Sequence, residues 1–450
     1  MNAERIQWGY ERFAKKGVRD ERLKSQTDNN KYRLPVLSVV EVWQSNFFCP
    51  NGVYIPQFIL LLGIIFRKKY YFWGIEITTM IKRDLYKVLN KRISDKKAII
   101  IVGARQVGKT TFIENILKDK DYLLIDCDDP TTKEQIENAN TETLRRIIGN
   151  KTIVFFDEAQ RIKNIGLILK IIIDRIKNVK IFVSGSSSLD LLDSINEPLT
   201  GRKWEFSLFT LSWNELTNHY GHLTMLQQLE TRLIYGSYPE VVTTVGDEEE
   251  VLKQLSSSYL YKDILKLNGI RKPEILEKLL QALAFQVGSE VSFTELSNIL
   301  KIDKKTIESY IQLLEKSFII FKLNPFSRNL RNEISKKRKI FFYDNGIRNA
   351  IISNFNSLRL RQDTGILWEN FLVSERIKYL HYHRISANIY FWRTKQKQEI
   401  DFIEERGGKI YAYEFKFNPR KKTKIPNVFE RQYSPVFSII NKDNFYEFLS

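Results

Sequence analysis

The chain has 450 residues, of which 43% are hydrophobic and 28% charged, so its length and composition exclude a disordered or fibrous protein and predict several packed domains. Lys and Arg number 71 against 53 Asp and Glu, and the formal charge of +18 favours polyanionic partners such as nucleic acid or nucleotide phosphates. Two cysteines exclude a disulfide framework and a cysteine-rich zinc site, which favours a reducing, cytoplasmic location.

Residues 1–79 differ in character from the rest of the chain. They show no amphipathic period sustained over several turns and predict an atypical N-terminal extension. Two interpretations stay open: a mis-called start with the natural start at Met80, or a disordered arm. No secretory signal opens the chain, and the apolar run from Phe58 to Phe66 is shorter than the ~20 residues of a membrane-spanning helix. The sequence therefore predicts no membrane partner, with an interfacial anchor after this run as the alternative.

The segment after Met80 predicts an α/β core. Residues 81–89 place apolar side chains at helical spacing, with Arg83 among the basic residues of the solvent face. Short apolar runs then alternate with helical patterns up to about residue 215, beyond which the pattern turns helical. These runs occupy residues 98–102, 122–126, 152–157 and 180–184. Such runs are typical of strands buried on both faces, so they predict a parallel sheet wrapped by helices.

Residues 103–110, GARQVGKT, match the phosphate-binding loop pattern G-x-x-x-x-G-K-[ST] between a predicted strand and a predicted helix. The two glycines allow the backbone amides to converge on phosphates at the positive end of the helix. Lys109 is predicted to reach the β and γ phosphates of ATP, and Thr110 to bind Mg²⁺ through its hydroxyl. The predicted nucleotide-binding residues are Gly103, Ala104, Arg105, Gln106, Val107, Gly108, Lys109, Thr110 and Thr111.

Polar side chains follow the next two predicted strands. Asp157 is predicted to hold Mg²⁺, and Glu158 to act as the general base that polarises the attacking water. Ser184 is a candidate γ-phosphate sensor, with a turn selected only for flexibility as the alternative. Arg202 is a candidate for complementing transition-state charge, within its own subunit or across a subunit boundary. An ordinary surface arginine is the other interpretation of Arg202.

The segments GARQVGKTT, VFFDEAQ, VSGSSS, LTGRKWEFSLFTLSWNEL and YGSYPEVV together resemble the bacterial and archaeal AAA-type ATPase family that carries a C-terminal domain of unknown function. The resemblance extends from Met80 to the C-terminus. It implies an α/β fold with a P-loop NTPase parallel-sheet core, a helical region, a winged helix and a small α/β restriction-endonuclease-like domain. The predicted domains are 1–79 (extension), 80–215 (ATPase core), 216–271 (helical lid or linker), 272–348 (winged helix) and 349–450 (restriction-endonuclease-like domain).

A candidate DNA-binding unit follows. Ser292 and Glu295 form a capping-box start for one helix, and a tight turn at Asp303 leads to a second. Two predicted wing strands, at 318–323 and 340–343, enclose residues 328–339. The basic residues of that segment are Arg328, Arg331, Lys336, Lys337, Arg338 and Lys339. They predict salt-sensitive phosphate contact. Because the second helix carries both Glu and Lys, a purely structural or self-contacting module remains the alternative.

A candidate nuclease site lies near the C-terminus, where residues 389–417 show strand-like alternation. Glu414 and Lys416 share one strand face, and Asp401 lies on the preceding strand of a predicted hairpin. Asp401 and Glu414 are predicted to bind Mg²⁺ with Glu369 as a further ligand, while Lys416 activates water. The arrangement resembles the restriction-endonuclease-like fold. A solvated ion pair, or a non-cleaving fold retained for binding, explains the same residues.

Together these features predict a Mg²⁺-dependent ATPase that acts on or near DNA. The alternative is a nucleotide-gated module that docks DNA, a protein partner or a second copy of the chain without cutting anything.

Overall fold

The computed structural model describes residues 80–186, 195–257, 273–327, 337–421 and 423–449, and the parts described belong to one compact unit. The predicted extension at 1–79 and the basic residues at 328–336 lie outside these ranges. No helix within them is long and apolar enough to cross a membrane.

Five parallel strands form the first sheet, in the order β2–β3–β4–β1–β5. The strands are β1 (Ala98–Val102), β2 (Leu123–Asp126), β3 (Ile153–Asp157), β4 (Lys180–Gly185) and β5 (Lys203–Ser207). All five residues of β1 are buried, as expected for a strand with helices on both faces. The α/β prediction with a parallel sheet is confirmed. Strand β5 was not predicted, because this edge strand is only partly buried and lacks a continuous apolar run.

Helices cover this sheet and then continue as a helical region. The helices of the core are α1 (Leu85–Asn90), α2 (Lys109–Leu117), α3 (Pro130–Glu137), α4 (Thr141–Ile148) and α5 (Ile165–Arg175). Those that follow are α6 (Trp213–Tyr220), α7 (His222–Gln227), α8 (Leu229–Tyr235), α9 (Pro239–Thr243) and α10 (Glu248–Leu255). A reciprocal capping box between Ser212 and Glu215 starts α6, which is where the sequence pattern turns helical.

The predicted helix–turn–helix elements are present in the next part of the chain. They comprise α11 (Pro273–Phe285), β6 (Glu290–Ser292), α12 (Phe293–Leu300), α13 (Lys304–Lys316), β7 (Ile320–Pro325) and β8 (Lys337–Phe342). Ser292 caps α12 by accepting from the Glu295 amide at 3.4 Å, and Asp303 caps α13 by accepting from the Thr306 amide at 2.9 Å.

The C-terminal part adds the strands that complete a second sheet. Its elements are α14 (Asn345–Ile351), α15 (Thr364–Tyr382), β9 (Asn388–Arg393), β10 (Glu399–Arg406), β11 (Lys409–Phe415), α16 (Asn427–Tyr433), β12 (Val436–Ile440) and α17 (Phe445–Phe448). The predicted hairpin is present: β10 and β11 are antiparallel, and Gly407 and Gly408 form its turn with φ of 56° and 73°.

The two predicted wing strands are present as β7 and β8, which pair antiparallel. Strand β7 pairs with β8 on one side and in parallel with β9 on the other, within a seven-stranded sheet ordered β12–β11–β10–β9–β7–β8–β6. The pairing with β9 joins the last two residues of β7, Asn324 and Pro325, to Tyr390 and Phe391. One sheet therefore crosses the predicted boundary between residues 272–348 and 349–450.

Helix α15 packs against the segment that follows β5 through buried polar contacts. The Phe209 amide donates to the Tyr382 hydroxyl at 3.0 Å, and the Trp213 amide donates to Glu375 at 2.6 Å. Lys378 donates to the Thr210 hydroxyl at 2.9 Å. Since buried polar groups need partners of defined geometry, these contacts fix the C-terminal part against the first sheet.

A buried ion pair joins α15 to the second sheet, and its removal tests how much it contributes to stability. Arg376 Nε lies 2.5 Å from Glu404 Oε1, with side-chain exposures of 5% and 0%. We expect Glu404→Ala to lower the free energy of unfolding by about 3 kcal/mol or more, because it leaves a buried guanidinium without its counter-charge. Urea unfolding measures the loss, and Glu405→Ala, on the same strand but partly exposed, is the matched control. Equal losses in both variants would contradict this account.

Candidate functional site

The glycine-rich loop joins the carboxyl end of β1 to the first turn of α2. Gly108 has φ of 88°, a left-handed conformation that side chains rarely adopt, and a Cβ there would meet no atom within 4 Å. Gly103 is required for a different reason: a Cβ would lie 2.1 Å from the carbonyl oxygen of Leu208. The loop is therefore tightly packed at its start and has free space around Gly108 at its end.

Lys109 lies at the centre of this loop. Its side chain is buried, and Nζ donates to the Gly103 carbonyl at 3.2 Å and to the Ala104 carbonyl at 3.0 Å. The positive charge of Lys109 also acts on the nearby carboxylates of Asp157 and Glu158. The position thus suits the binding of an anion within the loop.

Three hydroxyl and carboxyl groups from neighbouring elements meet beside Lys109. The Thr110 hydroxyl, on α2, lies 2.9 Å from both carboxylate oxygens of Asp157, at the end of β3. Ser184, on β4, donates to the same carboxylate and accepts from the Glu158 amide at 3.1 Å. The sheet order explains this meeting, because β4 lies between β1 and β3. Ser184 is therefore beside Ile101 of β1 in the sheet and contacts Asp157 of β3 through its side chain.

The electrostatics of the two acidic residues differ. Burial raises the pKa of Asp157, although hydrogen bonds from Ser184 and Thr110 oppose that effect. Burial acts in the same direction on Glu158, but the charge of Lys109 and the hydrogen bond from Gln160 outweigh it and lower the pKa of Glu158. The site therefore presents an ionised carboxylate beside a positively charged lysine.

These residues fit a magnesium-bound triphosphate. Mg²⁺ prefers oxygen ligands, and a threonine hydroxyl next to a carboxylate offers two of them. The open end of the loop and Lys109 provide amide and ammonium donors for phosphate oxygens. Of the remaining predicted binding residues, Thr111 is exposed on α2 and Ala104 is buried.

Arg202 lies elsewhere. It precedes β5 at the amino edge of the first sheet, where its carbonyl accepts from the Ala98 amide, and its side chain pairs with Asp174 at 2.9 Å. The phosphate-binding loop is at the opposite edge, about 13 Å away along the strands. The structure therefore does not bring Arg202 together with the phosphate-binding loop of its own subunit, and a role across a subunit boundary stays a prediction.

Arg83 was expected on a solvent face but is buried. Its guanidinium donates to the Val107 carbonyl of the phosphate-binding loop at 2.8 Å, pairs with Glu215 at 3.1 Å and contacts the Tyr382 hydroxyl at 3.3 Å. It also donates to the Phe209 carbonyl at 2.5 Å. No local sequence signal marks this role, since the partners lie up to 299 residues away.

The four residues of the candidate nuclease site lie in one cluster, to which the second sheet and its edge contribute Asp401, Glu414 and Lys416 and helix α15 contributes Glu369. Lys416 pairs with Glu414 at 2.6 Å, and Asp401 accepts from the Phe415 amide at 2.8 Å. Two unpredicted residues complete the cluster, which we define as Lys339, Glu369, Glu399, Asp401, Glu414 and Lys416. Lys339, whose side chain is 1% exposed, lies 2.9 Å from Glu369 and 2.6 Å from Glu399.

The cluster combines four carboxyl groups with two lysines in largely buried positions. Burial raises the pKa of Glu369 to about 7 and also raises the pKa values of Asp401 and Glu414. Burial by itself would lower the pKa of Lys339, but the charges of the surrounding carboxylates outweigh burial and raise it. Lys339 is therefore unavailable for the predicted phosphate contact. Within the described ranges, no group of three or more His, Cys, Asp or Glu is arranged to hold a metal ion.

The geometry of the first sheet and its loop corresponds to a P-loop ATPase fold of the AAA type. Comparison with family models agrees: residues 95–217 match an AAA domain. Residues 226–358 match a domain of unknown function, DUF8612, and residues 364–445 match another, DUF4143. These matches support an AAA-type P-loop ATPase family.

Similar proteins come from bacteria and archaea. An uncharacterized protein of Mycobacterium tuberculosis is 24% identical over 353 residues, which cover 77% of this chain and 75% of the relative. One from Methanocaldococcus jannaschii is 26% identical over 380 residues, covering 77% and 81%. Among solved structures, a Walker-type ATPase of Pyrococcus abyssi aligns with a TM-score of 0.46 and 17% identity, over 61% of this chain and 96% of that one.

The contact between Thr110 and Asp157 yields a direct test of the metal site. We expect Thr110→Ala to weaken ATP binding at least about tenfold in the presence of Mg²⁺ and to leave binding in EDTA unchanged, because only a metal ligand is lost. Calorimetric titration measures both affinities, and Thr110→Ser, which keeps the hydroxyl, is the control. An equal loss with and without Mg²⁺ would show that Thr110 does not act through the metal.

Proposed function

We propose that this protein binds and hydrolyses ATP with Mg²⁺ and that its C-terminal part responds to the nucleotide state. The observation that carries the proposal is the convergence of Lys109, Thr110, Asp157 and Ser184 at the carboxyl edge of one parallel sheet. Edges of this kind are where ligands bind in α/β proteins.

Each residue has a distinct task in this proposal. Lys109 and the loop amides hold the phosphates, and Thr110 and Asp157 hold Mg²⁺, which neutralises charge on the phosphate oxygens when bound. Glu158, ionised beside Lys109, accepts the proton of the attacking water. Ser184 orients Asp157 and supports the Glu158 backbone, so it links the two carboxylates.

The contacts of Arg83 support a response of the C-terminal part. One guanidinium contacts Val107 of the phosphate-binding loop, Phe209 after β5 and Tyr382 of α15. A movement of the loop on nucleotide binding changes the position of a group that α15 also contacts. Because a buried charge must keep its partners, such a movement biases the placement of α15.

For the second sheet we propose a non-cleaving role in binding DNA. The net charge of +18 favours a polyanion. Lys339 lies between Glu369 and Glu399, and Lys416 pairs with Glu414, so two of the three carboxylates predicted to bind metal, Glu369 and Glu414, already have counter-charges. A buried lysine in such a cluster substitutes for a cation and opposes the binding of Mg²⁺.

ATP turnover measured with and without DNA tests the activity. We expect Mg²⁺-dependent hydrolysis that falls at least about 100-fold in Lys109→Ala and in Glu158→Gln, with ATP affinity retained in the second variant. DNA is expected to stimulate the wild-type rate. Hydrolysis that is equal in all three proteins would contradict the proposed activity, and indifference to DNA would favour a protein partner.

A plasmid-nicking assay tests the non-cleaving role. We expect wild type, Asp401→Ala and Lys416→Ala to leave supercoiled plasmid intact with Mg²⁺, because the predicted ligands Glu369 and Glu414 are paired with lysines. Nicking by the wild type that both substitutions abolish would restore the nuclease prediction.

A further inference from the structure

A single 3₁₀ turn, Ala159–Arg161, follows Glu158 directly and carries Gln160. The Gln160 side-chain amide donates to Glu158 Oε2 and to the Ser186 hydroxyl at 2.8 Å. An ionised carboxylate only accepts hydrogen bonds, so the nitrogen of the Gln160 amide must face Glu158. The orientation of the side chain is therefore fixed, and Oε1 points away from that carboxylate oxygen.

Gln160 Oε1 is buried and has no hydrogen-bond partner within the described part of the chain. A buried acceptor without a donor is unfavourable and rare in folded proteins, which points to a donor that binds during function. The atom belongs to the side chain that holds the proposed general base, beside the hydroxyls at the end of β4. This acceptor and the proposed general base thus belong to two side chains that are hydrogen-bonded to each other.

We propose that Gln160 positions the attacking water through Oε1. The proposal rests on the proposed ATPase function. A water molecule has two hydrogens, and two acceptors are needed to direct its lone pair at the γ-phosphorus. Glu158 accepts one hydrogen and Gln160 Oε1 accepts the other. The Gln160 amide nitrogen donates to both Glu158 and Ser186, and these hydrogen bonds fix the positions of the two acceptors relative to each other.

The step balances with Glu158 as the proton acceptor. The water oxygen forms a bond to the γ-phosphorus while the bond from that phosphorus to the β–γ bridging oxygen breaks. One proton of the water moves to Glu158, and the products are ADP and phosphate. Gln160 neither gains nor loses a proton, so its contribution is geometric.

The test compares Gln160→Leu, which keeps the size of the side chain but loses both polar atoms, with Arg161→Ala. Arg161 is in the same turn, but its guanidinium pairs with Asp128 at 2.7 Å. We expect kcat for ATP to fall at least about tenfold in Gln160→Leu with KM changed less than threefold, and both constants to stay near wild type in Arg161→Ala. Unchanged kcat in Gln160→Leu would overturn the proposal.

A transition-state analogue separates water positioning from a structural effect. ADP with aluminium fluoride and Mg²⁺ mimics the phosphoryl group in line with the water. We expect Gln160→Leu to lose at least about tenfold in affinity for this complex and to bind ADP alone as wild type does. Equal losses for both ligands would show a structural role and overturn the proposal. A wild type that turns over no faster than Glu158→Gln would instead overturn the proposed function on which it rests.

Discussion

The hydrogen bond between the Thr110 hydroxyl and the Asp157 carboxylate joins the two halves of the nucleotide site. It requires that β1 and β3 end at the same edge of the sheet with only β4 between them. Ser184 on β4 then contacts Asp157 directly and holds the Glu158 backbone. The order of the strands, rather than any single residue, thus determines which side chains meet at this edge of the sheet.

Buried charges connect this site to the rest of the protein. Arg83 links the phosphate-binding loop to α15, and Arg376 links α15 to the second sheet through Glu404. Interactions of this kind are strong in a low-dielectric interior and tolerate little displacement. The two sheets are therefore mechanically connected through one helix, α15, which the family models place at the start of a separate domain.

Local chemistry explains what the sequence predicted well. The glycine-rich loop, the apolar strands of the first sheet and the hairpin turn at Gly407 and Gly408 depend on residues close together in the chain. The roles of Arg83 and Lys339 were missed because their partners come from distant segments that only the folded chain brings together. The pairing of β7 with β9 was missed for the same reason, since it is not visible in either strand alone. The position of Arg202 was missed because it precedes β5, an edge strand whose mixed polar and apolar sequence does not predict a strand.

A crystal structure with Mg²⁺ and a non-hydrolysable ATP analogue tests the central claim most directly. The account predicts phosphates within the loop at residues 103–110, Lys109 Nζ transferred from the two carbonyls to phosphate oxygens, and Mg²⁺ bound by the Thr110 hydroxyl with Asp157 directly or through water. A nucleotide bound away from this loop, or a metal that neither Thr110 nor Asp157 approaches, would contradict it.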